Sequence, residues 1–143
     1  AEANACGYKY AFPVEEDDHC ETSESAYADI CPLLSALERA LQRPLRVYDP
    51  YFCQGAVVER LGALGFREVY NRNEDFYRLL ERGEVPEHDV VVTNPPYSAD
   101  HVERILRFVS GQGKPWFLLL PNYVYLKDYY WPALSAGVGG GMG

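Results

Sequence analysis

Four consecutive residues, Asn94-Pro95-Pro96-Tyr97, set a side-chain amide, a rigid backbone and an aromatic ring next to one another. The two prolines fix φ and remove two backbone donors, and Pro95 drives Asn94 out of the α region into an extended conformation. The turn therefore offers acceptors, the Asn94 amide oxygen and the neighbouring carbonyls, beside the face of Tyr97. That set suits a planar group bearing an NH2. A second stretch, Asp49-Pro50-Tyr51-Phe52-Cys53-Gln54-Gly55, joins a carboxylate to a glycine that lets backbone approach a ligand closely. A helix after it would add unpaired N–H groups. The same residues also read as an ordinary strand-to-helix turn. Asn73-Glu74-Asp75-Phe76 offers carboxylates to hydroxyl or amine donors, and equally a helix cap.

Each of these stretches stands beside an apolar segment that must hold it in place. Val90-Val91-Val92-Thr93 reads as a buried strand stopped at Asn94, and Leu45 to Tyr48 as a short strand leading into Asp49. Phe66 to Tyr70 gives another strand, and Trp116 to Leu120 a buried one stopped by Pro121. Between them lie helical patterns. Leu33, Leu34, Leu37 and Leu41 follow capping residues at Thr22, Ser23 and Ser25, with Pro32 starting or kinking the helix and Pro44 ending it. Val57, Val58, Leu61 and Leu64 precede Gly65; Phe76, Leu79 and Leu80 precede Gly83; Val102, Ile105, Leu106 and Val109 precede Gly111. The alternation β-α-β-α-β-α-β predicts an α/β domain with a mostly parallel sheet covered on both faces. In such sheets ligands bind outside the carboxyl ends of the strands. His88 and His101 sit at element ends and are expected to face solvent, and neither they nor His19 are assigned catalysis.

The totals fit one domain with a real core: 143 residues, 48% hydrophobic, with a mean hydropathy of -0.28. The expected layout is a segment 1–19 of undefined role, in which Tyr8, Tyr10 and Phe12 alternate, a domain over 20–136, and a glycine-rich tail 137–143 that reads as linker or truncation point. No run approaches the roughly 20 apolar residues of a membrane span, and no signal-peptide layout opens the chain, so an intracellular protein without a membrane partner is expected. Cys6, Cys20, Cys31 and Cys53 form no CxxC pair and are read as free thiols. With His19, three of them match no usual zinc spacing, and no metal is expected. The net charge of -8, much of it in Glu15-Glu16-Asp17-Asp18, argues against a grip on nucleic acid by charge alone.

The order of the three polar stretches, each at a strand end, resembles the amino-methyltransferases that use S-adenosylmethionine, whose hallmark is Asp/Asn/Ser-Pro-Pro-Tyr/Phe. The resemblance spans roughly Thr22 to Tyr125. It implies a Rossmann-like methyltransferase domain, truncated at its C-terminal end because the family has about seven strands and this chain shows four. It assigns the methionine part of the cofactor to Asp49, Pro50, Tyr51, Cys53 and Gly55, and its adenine to Asp75 and Phe76. It also matches Thr22, in the stretch Cys20 to Tyr27, to the segment that wraps the cofactor. The catalytic turn is then Asn94, Pro95, Pro96 and Tyr97: Asn94 and the Pro95 carbonyl accept the target amine, and Tyr97 stacks on its ring. Two departures stand out. Cys53 takes the place of the first glycine of Asp-Pro-x-Cys-Gly-x-Gly, and no acidic residue ends a separate second strand, which leaves Glu74 and Asp75 as ribose ligands.

The implied activity is methyl transfer to an exocyclic amine, adenine N6 of RNA or DNA first, with cytosine N4 using the same geometry. A base in a duplex would have to be flipped out. Methylation of a protein glutamine amide is the alternative within enzymes, and a catalytically silent binding scaffold the alternative outside them. A partner subunit or further C-terminal chain is expected to complete the domain. Tyr123, Tyr125, Tyr129, Tyr130 and Trp131 either flank a target base by stacking or pack as core and interface.

Overall fold

The computed structural model of the chain describes residues 22–136. The segment 1–19 with its acidic run, Cys20 and the tail 137–143 lie outside the described residues. The elements are α1 (Glu24–Leu41), β1 (Arg46–Tyr48), α2 (Ala56–Ala63), β2 (Glu68–Tyr70), α3 (Phe76–Arg82), β3 (Val90–Thr93), α4 (His101–Gln112), β4 (Trp116–Leu118), a 3-10 turn (Val124–Leu126) and α5 (Tyr130–Ala136). The strands form one all-parallel sheet in the order β2-β1-β3-β4. The chain is thus α/β. After β1 it winds to β2 on one side, then returns through α3 to β3 on the other side of β1. The order therefore reverses between β1 and β3, which creates a crevice outside their carboxyl ends.

Local chemistry sets the boundaries. Ser23 begins α1 by accepting the Ala26 N–H at 3.2 Å, so Pro32 falls inside the helix rather than at its start. Gln42, left-handed at φ 55, ends it two residues before Pro44. Gly83 closes α3 as expected, whereas α4 runs through Gly111 and is capped by Gly113 at φ 72.

Alternation along the strands builds a core on each face of the sheet. Val47, Val90 and Val92 meet Tyr27, Leu34, Val57 and Leu61 of α1 and α2. Tyr48 and Val91 meet Phe76 of α3 and Ile105 and Val109 of α4. On its other side α4 packs Val102 and Leu106 against Val124 and Ala133. β4 differs from the expectation: it is three residues long and only half buried, because it is the last strand and has no outer neighbour among the described residues.

At the amino ends of the strands Asp89 fastens β3 to β1. It accepts two hydrogen bonds from Arg43, at 2.5 and 2.7 Å, and the Arg46 backbone N–H at 2.8 Å. The Arg43 guanidinium, with help from Arg46, holds this carboxyl well below the usual carboxylate range. Both histidines depart from the solvent-facing expectation. His88 is buried and bonds to the Pro86 carbonyl and the Gln112 side chain, while His101 is buried against Tyr77. No helix among the described residues is long and apolar enough to cross a membrane.

Candidate active site at the strand ends

Asp49 follows β1, Asn71 follows β2 and Asn94 follows β3, so three polar side chains stand at neighbouring strand ends. Asp49 is buried, and its Oδ1 accepts the Thr93 hydroxyl at 2.5 Å and the Tyr51 N–H at 3.1 Å. The first of these bonds crosses from β3 to the loop after β1 and fixes the two ends relative to each other. Asn71 donates from Nδ2 to the carbonyls of Asp49, at 3.1 Å, and Tyr51, at 3.4 Å. Two carbonyls can face only the nitrogen of an amide, which dictates where the oxygen goes. That Oδ1 is buried and has no hydrogen-bond partner among the described residues. Buried acceptors are normally satisfied, so an orphan at a strand end is an opening for a ligand donor.

Asn71 was not among the residues singled out by the sequence. Its signal is position, the first residue after the second strand, where the resemblance implies an acid. Glu74 instead accepts the Tyr70 hydroxyl at 2.5 Å.

A slit of about 20 Å3 opens between these ends. It brings together five residues marked in the sequence, Thr22, Asp49, Tyr51, Cys53 and Asn94, and adds Tyr27, Val57 and Asn71. A second hollow of about 160 Å3 shares Thr22 and Tyr27 and, apart from these and Thr93, is walled by apolar residues, Ala26, Ile30, Val92 and Phe117 among them. The Thr22 carbonyl is held by the Arg60 guanidinium of α2. Pro50, Pro95 and Pro96 are buried and do not line the slit. Gly55 caps α2 in a left-handed conformation, φ 79, that side chains rarely adopt. Cys31 and Cys53 form no disulfide among the described residues.

The remaining marked residues lie elsewhere. Asp75 caps α3 by accepting the Tyr77 N–H at 3.0 Å, and Phe76 is buried between Tyr48, Tyr51 and Phe108. Neither lines the slit. Tyr97 is 43% exposed, and its hydroxyl lies within donating distance of Asn94 Oδ1, at 2.9 Å, and the Leu119 carbonyl, at 3.0 Å. One proton serves one of these acceptors at a time, so the ring is anchored between the turn and the segment after β4.

Beneath the slit, Tyr51 and Tyr77 join hydroxyls at 2.9 Å, and the Tyr77 hydroxyl meets His101 Nδ1. The Arg104 guanidinium lies 3.6 Å from the centre of the Tyr77 ring. Burial pushes both phenols up, Tyr51 well above its ordinary value and Tyr77 to about 12, so both stay neutral. This buried chain braces the loop after β1 against the start of α4, which follows directly on the Asn94 turn.

No protein-family model matches the chain, and comparison with curated proteins and with solved structures found no match.

Proposed function

We propose that this chain binds S-adenosylmethionine at the ends of β1 and β2 and methylates an exocyclic amine held at Asn94, adenine N6 of RNA or DNA being the leading target. The observation that carries the reading is the placement of Asp49 and Asn94 in one slit at the point where the strand order reverses, joined through Thr93. One acceptor fits such a cofactor: Asn71 Oδ1, without a hydrogen-bond partner among the described residues, suits a ribose hydroxyl or an ammonium group. A slit of about 20 Å3 holds about one water-sized group, so only a part of that size enters it.

When bound, the cofactor supplies an electrophilic methyl group. The protein's share is to prepare the amine. Asn94 Oδ1 and the Pro95 carbonyl accept its two hydrogens, which turns the nitrogen lone pair away from ring conjugation. Because Pro95 and Pro96 hold these acceptors rigidly, little reorganisation is needed during the reaction. Tyr97 offers its face to the target ring.

A tritium-methyl assay against RNA, DNA and protein fractions tests the reading and separates the nucleic-acid amines from the protein glutamine alternative. Asn94→Ala is expected to leave cofactor binding by calorimetry within about twofold and to lower the transfer rate by at least about a hundredfold, the scale of losing one oriented acceptor. Equal rates for the variant and the parent chain would overturn the role given to Asn94. The small volume of the slit favours one second reading, a silent scaffold. It is the better reading if millimolar cofactor gives no heat.

A further inference from the structure

Backbone N–H and C=O groups call for partners, and β4 pairs with a strand on one side only. The Val91 N–H donates to the Pro115 carbonyl at 3.2 Å and the Leu119 N–H to the Thr93 carbonyl at 3.0 Å, so Pro115, Phe117 and Leu119 turn their backbone groups toward β3. Trp116 and Leu118 alternate with them and turn theirs the other way, with Leu120 next in the series. No strand lies on that side among the described residues. What matches such a row is another extended strand, added by backbone pairing.

Folded proteins blunt an open edge with charges or with proline. Here neither device acts on the outer row. No charged residue occurs from Pro115 to Leu126, and by the same alternation the two flanking prolines, Pro115 and Pro121, belong to the set that faces β3. The strand is also its own complement. Pro115 and Pro121 stand at equal distances either side of Leu118. When two copies pair antiparallel about Leu118, Leu118 meets Leu118 and Trp116 meets Leu120 of the second copy, and these outward residues exchange N–H···O bonds. Phe117 then meets Leu119, Pro115 falls opposite Pro121, and Lys114 opposite Asn122. Sliding the copies by one residue sets outward groups against inward ones and loses the bonds. Sliding them by two sets Lys114 against Leu120 or Asn122 against Trp116. One register alone serves backbone and side chains together.

We propose that the open edge of β4 pairs antiparallel with β4 of a second copy of this chain, about a two-fold axis at Leu118, so that the two sheets run on as one. A strand of this length alone falls short of what a stable dimer buries, about 1,600 Å2. Leu119, Tyr123 and Tyr125, which follow the strand and are 45%, 49% and 57% exposed, add apolar area. The pairing does not depend on methyl transfer. It does brace Leu119, whose carbonyl faces the Tyr97 hydroxyl at 3.0 Å.

Sedimentation velocity on the full chain is expected to show a dimer at micromolar concentrations. Leu119→Lys, at an exposed position, sets a charge against Phe117 of the second copy and is expected to raise the dissociation constant at least about tenfold. Circular dichroism checks that each variant is folded. Cross-linking reads the register, because non-hydrogen-bonded antiparallel pairs lie about 4.5 Å apart between Cα atoms, within the span of a disulfide. Phe117→Cys and Leu119→Cys chains oxidised as a mixture are expected to give more covalent dimer than either chain alone or the parent. Leu118→Cys, which meets itself, is the second cross-link and serves if Phe117→Cys does not fold. A monomer at every concentration overturns the proposal. So does a dimer that Leu119→Lys leaves unchanged, or one that neither cross-link captures above the parent level.

Discussion

Asn71 does its work with both ends of one amide. Its nitrogen holds two carbonyls of the loop after β1, and its oxygen is buried with no hydrogen-bond partner among the described residues. An acid at this position would satisfy the family resemblance better, yet the geometry predicts the opposite outcome. Asn71→Asp removes both donors and turns a negative charge toward two carbonyl oxygens. It should cost about 1–3 kcal/mol of stability in urea denaturation and weaken cofactor binding at pH 7. A variant as stable as the parent, with tighter cofactor binding, would show that the two carbonyl bonds are incidental. The residue was illegible in the sequence for a physical reason. Its partners, Asp49 and Tyr51, are twenty or more positions away and become neighbours only when β2 lies beside β1. The Asn94 turn was legible because its constraint is local, two prolines after a β-branched run.

At the scale of elements the sequence exposed what each segment does by itself. Ser23, Asp75 and Gly83 mark helix ends by their own chemistry, and the Val90 to Thr93 run had to be a buried strand. It failed where a neighbour decides. His88 and His101 looked like surface caps, but Gln112 and Tyr77 enclose them from other elements. Asp89 belongs to the same class. It stands at the edge of β3 in sequence, and in the fold it clamps β3 to β1 through Arg43 and Arg46. Its folded-state carboxyl titrates below the unfolded value near 4. The stabilisation is therefore complete above about pH 4 and is lost as the pH falls through the folded value. Melting temperatures from pH 7 down to pH 2 should drop more steeply for the parent chain below pH 4 than for Asp89→Asn, which starts lower at pH 7. Parallel curves would mean the clamp contributes nothing.

At the scale of the molecule, the sheet is covered unevenly. On one face α3 and α4 span its breadth, while on the other α1 and α2 cover β2, β1 and β3 and leave a hollow of about 160 Å3 against Phe117 and Leu118 of β4. A fold selected for packing alone would close it. Ala26 of α1 lines this hollow, and a larger apolar side chain there keeps helix propensity while taking up the space. Burying the added methylenes should stabilise by about 1 kcal/mol, which for a domain of this size raises Tm by about 3 °C. The same hollow shares Thr22 and Tyr27 with the slit, so a leucine in it presses on the wall of the proposed cofactor site. Ala26→Leu should therefore raise Tm in calorimetry and at the same time weaken cofactor binding, the exchange of stability for function expected where a void is kept open for a ligand. A higher Tm with undiminished binding would make the hollow a packing gap only. A lower Tm would mean that α1 already sits as close to β4 as its side chains allow.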